Sequence, residues 1–299
     1  MSSAEQAARS LKELEPEDLR VLLAIEKVLG AREQVPADYI AHSTNIHIDE
    51  VEYRLSRLNA KGFIVKGTRG YILVSSGLDV IALNAFVKRG LISGMGRALG
   101  IGKEADVFEA IDDRGELYAI KFFRIGRISF RDIKRKRSYT SPLQSHQWLV
   151  VNIKAAKREY NVLKKLYPIG ISVPEPIAVE RHAILMKKVF GSRLSEWKSL
   201  DNPGKVLIDI LSNLRRAYLE GGVVSSDLSE YNILYDGEKI CIIDWPQAVS
   251  KDHPNSSILL DRDVSNIITF FRRKFDVDCP LEAATFYVRG WSDHLPIRV

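Results

Sequence analysis

The chain has little of what marks the unusual classes of protein. It carries two cysteines in 299 residues; Cys241 and Cys279 stand alone with no C-x-x-C pair, which excludes a disulfide scaffold and argues against structural zinc. The six histidines are scattered without ligand spacing. No apolar run approaches the roughly 18 residues needed to cross a bilayer. The polar start Met1-Ser-Ser-Ala-Glu5 has no signal-peptide core. There is no internal repeat and no low-complexity tract. The expectation is a cytoplasmic protein with reduced cysteines, no membrane contact and no disulfide-linked partner.

What is present is an ordinary globular composition, 45% apolar and 27% charged, in a chain long enough for two domains with separate cores. The formal charge of +6 is compatible with an RNA partner and equally common among proteins that bind none. Residues 15–30 open on acids and proline and close on glycine, as a capped amphipathic helix does. A short helix follows from about Pro36. A third starts near His47, with Ile48, Val51, Leu55 and Leu58 on one face and Arg54, Arg57 and Lys61 on another. Phe63-Ile-Val-Lys66 and Tyr71-Ile-Leu-Val74 then flank Gly67-Thr-Arg-Gly70 as a β-hairpin. Three helices and a hairpin predict a winged helix. Arg54, Arg57, Lys61, Lys66 and Arg69 fit a nucleic-acid surface, or a solvated basic face. A further helix from Leu78 to Arg89 leads to a glycine-dotted connector, Leu91–Arg97, where the domain boundary is placed.

Beyond the connector the pattern turns to chemistry. Gly100-Ile-Gly102-Lys103-Glu104-Ala105-Asp106-Val107 lies between two strand-like segments, where a glycine-rich turn lets backbone N–H groups approach phosphate oxygens; a hairpin that merely needs glycine is the bland alternative. Tyr118-Ala-Ile-Lys121 is a strand ending in a lysine placed to reach the α- and β-phosphates of ATP. A long helix, roughly Trp148 to Leu166, carries Glu159, a partner for Lys121. Further on, Asp227-Leu-Ser-Glu-Tyr-Asn232 and then Ile242-Ile-Asp244 give an acid able to take a proton from an attacking hydroxyl. They also give two hard oxygen donors, Asn232 and Asp244, suited to Mg²⁺ or Mn²⁺ bridging phosphates.

Together these motifs resemble the RIO family of atypical protein kinases, in the subfamily with an N-terminal winged helix, over nearly the whole chain. The glycine turn is similar to the family's G-x-G-K-E-[AS]-x-V, which adds Lys103, Glu104, Ala105 and Val107 to Gly100 and Gly102 as ATP-binding positions. Asp227–Asn232 resembles D-L-S-x-[YF]-N, and Ile243-Asp244-Trp-Pro-Gln247 resembles I-D-[FW]-P-Q. Met186, Lys187 and Val189, in the apparent hinge strand, would contact adenine, the last two through backbone groups. The family's H-G-D is written Ser225-Ser226-Asp227, so the bracing histidine is absent.

The resemblance implies an α+β architecture: a winged-helix domain over residues 1–90 and a two-lobed kinase domain over 91–299, with a small lobe of about 97–189 and a large lobe of about 190–299. It implies an ATP-dependent serine/threonine kinase or ATPase with Asp227 and Asp244 as catalytic acids, acting in maturation of the small ribosomal subunit with ribosomal RNA or a pre-ribosomal particle as partner. The rival functions are a small-molecule kinase of the aminoglycoside or choline type, which shares D-x-x-x-x-N and I-D-W, and a nucleic-acid-binding scaffold that has lost turnover. Seven of the fourteen residues from Arg124 to Arg137 are basic; such a run must face solvent or an anion. The stretch from about Ser138 to His146 is the expected mobile loop beside the phosphates.

Overall fold

The computed structural model describes residues 1–126 and 142–298, and residues 142–146 by backbone alone. The chain divides into two compact units, the first made of residues 1–157 and 178–185, the second of residues 158–177 and 186–299.

The first unit begins with the winged helix. Helix α1 (Ser3–Ser10) is fixed by a reciprocal cap, the Ser2 amide donating to Glu5 at 2.7 Å and the Glu5 amide to Ser2 at 3.2 Å. Helix α2 (Pro16–Lys27) starts on a proline whose missing N–H is no loss in the first turn. Helix α3 (Ala37–Thr44) stops at Asn45, whose φ of +53° leaves the helical region. Helix α4 (Ile48–Ala60) ends before Gly62, and strands β1 (Ile64–Lys66) and β2 (Tyr71–Leu73) form the wing. Helix α5 (Ser75–Lys88) closes the domain, its buried Leu78, Ile81 and Phe86 joining Leu22, Ile40, Leu55 and Leu58 in the core.

The five cations singled out on this domain divide. Arg54 is buried, and its guanidinium meets Glu15 at 2.7 Å, Glu50 at 2.6 Å and Asp18 at 3.5 Å. Arg57 pairs with Glu15 at 2.7 Å and Asp18 at 3.0 Å, and Lys61 with Glu13 at 2.5 Å. The acids come from α2, from the turn before it and, for Glu50, from α4 itself one turn before Arg54, so these three charges are already neutralised inside the domain. Lys66 and Arg69, on the wing, are exposed.

The expected connector is instead half strand. Gly94–Arg97 open strand β3 (Gly94–Ile101), whose pairing with β4 (Ala105–Ile111) is irregular on both sides of Ala98. Strand β5 (Leu117–Phe123) follows, and with β6 (Pro176–Glu180) and β7 (Ala183–Lys187) the sheet order is β3-β4-β5-β7-β6. Along β4 the buried positions alternate, Asp106, Phe108 and Ala110, as the period of a strand with one covered face requires. Arg124, counted in the basic run, is buried rather than presented to solvent. Residues 127–137 of that run, and the loop expected at 138–146 up to residue 141, lie outside the described residues. Helix α6 (Pro142–Leu166) begins earlier than its apolar periodicity indicates and runs across the division of the units.

The second unit is mainly helical. Helix α7 (Pro203–Leu219) is capped by Asn202, which accepts from the Lys205 amide at 2.9 Å. It packs on α8 (Ser256–Phe275) and α9 (Leu281–Val288), and Leu207, Ile210, Leu211, Val264, Ile267 and Phe271 are buried. Two small sheets carry the functional loops: β8 (Ser192–Arg193), β10 (Ile233–Tyr235) and β11 (Ile240–Ile242) in the order β11-β10-β8, and β9 (Val223–Val224) paired with β12 (Val249–Ser250). Among the described residues no helix is long and apolar enough to cross a membrane.

Candidate active site

In the first unit, strand register assembles one group of the expected residues. Gly100 pairs with Val107, and Val107 with Lys121, so a single row across the sheet joins the glycine turn to the lysine. The turn is tight: the Gly102 amide donates to the Ala105 carbonyl at 2.8 Å, and a Cβ on Gly102 would sit 3.1 Å from that same oxygen. Lys103 and Glu104 are exposed at its tip. Lys121 is 6% exposed, with its ammonium 4.9 Å from the centre of the Phe123 ring, a position where a cation needs anionic company.

Glu159, 1% exposed on α6, belongs to the second unit, as do Met186, Lys187 and Val189. Lys187 ends β7 and its amide donates to the Glu175 carbonyl at 2.9 Å; Val189 lies just past the strand.

The second group is built on the β10–β11 hairpin of this unit. Ile233 pairs with Ile242, so Asn232, one residue before, and Asp244, two residues after, emerge at the same end. The Ile243 amide donates to the Asn232 carbonyl at 2.8 Å, locking that end. Trp245 is wholly buried and its indole donates to the Ile242 carbonyl at 3.0 Å, which fixes the chain on the far side of Asp244. Asp244 itself has a φ of +72°, a left-handed conformation that a non-glycine residue keeps only where its surroundings over-determine it.

The Asn232 amide group donates to the Asp227 carbonyl at 2.9 Å, leaving its side-chain oxygen available. That oxygen and the Asp244 carboxylate form a hard donor pair, and hard oxygens suit Mg²⁺, which commonly takes one or two protein ligands and completes its shell with water and phosphate. Among the described residues no group of three or more His, Cys, Asp or Glu is arranged around a common metal position. A pair of oxygen donors of this kind fits a metal whose remaining ligands are water and phosphate. Asp227 is held above the usual carboxylate range by burial of its base and by the Asp244 charge, against the opposing pull of Arg262.

Three residues on α8 went unremarked in the sequence and hold the catalytic loop. Asp263, 1% exposed, accepts from the amides of Ser226 at 2.7 Å and Leu228 at 3.1 Å. Arg262 donates to the Ser226 carbonyl and Asn266 to the Leu228 carbonyl at 3.1 Å. Ser226 also has a positive φ, +59°, and its hydroxyl donates to the Gln247 carbonyl at 2.5 Å. The loop that lacks the bracing histidine is thus braced through its backbone by side chains of the helix behind it. The available signal was Asp263, a carboxylate on the face that Leu260, Val264 and Ile267 otherwise make apolar.

Comparison with known proteins gives concordant matches. A model of the RIO domain matches residues 106–284, and a model described as Rio2, N-terminal, matches residues 11–89. The RIO-type serine/threonine-protein kinase Rio2 of Methanocaldococcus jannaschii is 40% identical over 267 residues, covering 85% of this chain and 98% of the relative. The serine/threonine-protein kinase RIO2 of Caenorhabditis elegans is 37% identical over 273 residues, covering 90% of this chain but 51% of the relative. The chain therefore spans nearly the whole archaeal relative and about half of the nematode one. The crystal structure of a Rio2 kinase–ADP/Mg²⁺–phosphoaspartate complex from Chaetomium thermophilum superposes with a TM-score of 0.83 at 31% identity, covering 95% of this chain and 94% of that one.

Proposed function

The chain belongs to the RIO family of atypical serine/threonine protein kinases, in the branch with the Rio2 N-terminal winged helix, and on that premise we propose that it uses ATP with Mg²⁺ to phosphorylate its own Asp244 transiently. The glycine turn around Gly100 and Gly102, with Lys103, Glu104, Ala105 and Val107, lies against the phosphates. Lys121 neutralises the α- and β-phosphates, and Glu159 is the partner that the family pattern gives it. Met186 and the backbone of Lys187 and Val189 take the adenine. Asn232 and Asp244 would hold Mg²⁺, or Mn²⁺ in its place, and the ion would supply charge neutralisation at the phosphates.

In the step itself a carboxylate oxygen of Asp244 attacks the γ-phosphorus. The bond from that phosphorus to the bridging oxygen breaks, and ADP leaves with the electron pair. Water then cleaves the acyl phosphate, giving inorganic phosphate and restoring the carboxylate, and Asp227 takes the proton of the attacking water. The raised affinity of Asp227 for protons suits that role. The observation that carries this reading is the left-handed backbone of Asp244 between two anchored neighbours, Ile243 and Trp245, which holds one carboxylate beside a metal donor at the end of a hairpin. The phosphoaspartate in the Chaetomium relative supports it.

Residues 245–299 contain no A-P-E element, so this segment does not carry a peptide-binding platform of the ordinary kinase kind. Slow ATP turnover, coupled to release from a pre-ribosomal small subunit in the cytoplasm, is the proposed role, with ribosomal RNA contacting the wing cations Lys66 and Arg69 and the basic run after Arg124. The test is single-turnover labelling with γ-labelled ATP. Label should appear on the chain and be released by hydroxylamine, which cleaves an acyl phosphate and spares a serine ester. Label that resists hydroxylamine, or that persists in Asp244→Asn with ATP still bound, refutes the aspartyl route.

A further inference from the structure

One cluster of buried charges lies outside the residues assigned to the reaction. Asp79, on α5 of the winged helix, is wholly buried and grips the Arg124 guanidinium through both oxygens, at 2.8 and 2.9 Å. The Nε of the same guanidinium donates to Asp106 at 3.0 Å, and the Arg124 amide donates to the Glu104 carbonyl at 2.6 Å. His182, between β6 and β7, sets its Nε2 2.7 Å from Asp79.

Glu104 and Asp106 belong to the glycine turn and to the first residues of the strand leaving it. Arg124 thus holds the turn twice, once by backbone and once by side chain, and is itself held by the N-terminal domain. A guanidinium has donors enough for this, and its planar fork fixes the direction of each bond. The arrangement is costly as a source of stability, because a buried ionic cluster gains little over an apolar filling of the same volume. What the charges add is direction. An apolar plug would fill the space and leave the turn free to shift by the ångström or so that phosphate binding cannot tolerate.

We infer that Asp79 and Arg124 are positioning residues for the ATP phosphates: the winged helix completes the glycine turn, so that nucleotide affinity depends on a residue of the N-terminal domain. The inference rests on the proposed reading of that turn as the ATP site.

The test uses the full chain with two changes, Asp79→Asn, which keeps shape and removes charge, and the double change Asp79→Leu with Arg124→Met, which fills the site with apolar atoms. Amide hydrogen exchange is measured without nucleotide over residues 100–106, with residues 233–242 as an internal control of folding. Exchange over 100–106 should quicken about tenfold in both variants while the control is unchanged. A fluorescent ATP analogue should bind about tenfold more weakly, with the single-turnover rate at saturating ATP held within about threefold, a split between binding and chemistry that a general loss of structure does not produce. Exchange over 100–106 within about twofold of the parent, in either variant with the control unchanged, overturns the inference. Should the parent protein bind no ATP, the reading of the site fails, and the exchange measurement still decides whether Asp79 anchors the turn.

Discussion

The carboxylate of Asp263 lies 2.7 Å from the amide of Ser226, a residue held at a φ of +59° one position before Asp227. A second bond, from the Leu228 amide, brackets Asp227 from the other side. Removing the carboxylate in Asp263→Ala leaves two buried amides without acceptors, at about 1–3 kcal/mol each, and frees the loop. Urea denaturation should show a loss of about 3 kcal/mol, and ATP turnover of the folded fraction should fall about a hundredfold.

Burial pushes the Asp263 carboxyl up to about 6, against the two amide bonds that favour its charge. An acid raised in this way binds its proton more tightly folded than unfolded. Its charged form therefore costs stability fully above about pH 6, and the cost is relieved as the pH falls from there toward 3.8. Asp263→Asn mimics the neutral form, so the stability difference between it and the parent should shrink as the pH is lowered through 6. A difference constant from pH 7.5 to 5 would show that Asp263 does not titrate in that range.

The basic face of α4 leads to a prediction about stability rather than binding. Arg54 lies against Asp18, which is fully buried, and against the half-exposed Glu15 and Glu50. Removing a buried partner strands the charge left behind. Arg54→Ala should cost about 3 kcal/mol in chemical denaturation, with no change in the salt dependence of the proposed RNA binding. Lys66→Ala with Arg69→Ala should do the reverse, flattening that dependence by up to about two phosphate contacts while the unfolding midpoint stays put.

These cases mark what the sequence could and could not carry. The loop Asp227–Asn232 and the segment around Asp244 were legible because their chemistry is local, a few residues at fixed spacing ahead of or behind a short hairpin. Asp263 was not, since the loop it holds stands 37 residues away and one acid on an apolar helix face does not name its partner. Arg54 read as surface because a helix-face argument sees one helix, and of its three acids only Glu50 stands on that helix, while Glu15 and Asp18 come from earlier in the chain. Helix α1 was passed over although Ser2 and Glu5 spell its cap, because its buried face is only Ala4 and Ala7. Gly94 and Gly96 disguised the start of β3, where irregular pairing lets glycine sit in a strand.

His182 supplies a second dependence on pH. Burial holds its imidazole below the ordinary 6.5, with the Arg124 charge helping and with Asp79 and Glu26 opposing. Asp79 comes from α5, Arg124 from the end of β5 and Glu26 from α2, and the Phe122 ring, 5.8 Å away, closes another side. Nδ1 has no hydrogen-bond partner among the described residues, so a second proton would be buried unpaired. Because the folded state binds that proton more weakly, the stability contributed by the neutral ring is complete above pH 6.5 and is lost as the pH falls below it. Between pH 7.5 and 5.5 the parent should lose stability with a slope approaching about 1.4 kcal/mol per pH unit relative to His182→Gln, which can still donate to Asp79 and does not titrate. Parallel pH profiles for the two proteins would rule this out.

The last prediction separates the two tasks of Asn232. Its amide nitrogen holds the Asp227 carbonyl at 2.9 Å, and its oxygen is the proposed metal donor, so one side chain ties the catalytic loop to the metal. Asn232→Asp keeps an oxygen for the metal and removes the donor; its carboxylate then faces the Asp227 carbonyl, an acceptor against an acceptor. Asn232→Ala removes both functions. Titrating ATP turnover with Mg²⁺ should therefore show an Mg²⁺ requirement raised about tenfold or more in Asn232→Ala, corresponding to one lost ligand worth about 1.4 kcal/mol. In Asn232→Asp the requirement should change little, while the turnover rate at saturating Mg²⁺ drops because Asp227 is no longer fixed. Chelating the metal should abolish turnover in all three proteins. If the alanine variant needed no more Mg²⁺ than the parent, Asn232 would be a loop brace only, and Asp244 would be left as the one protein donor at the phosphates.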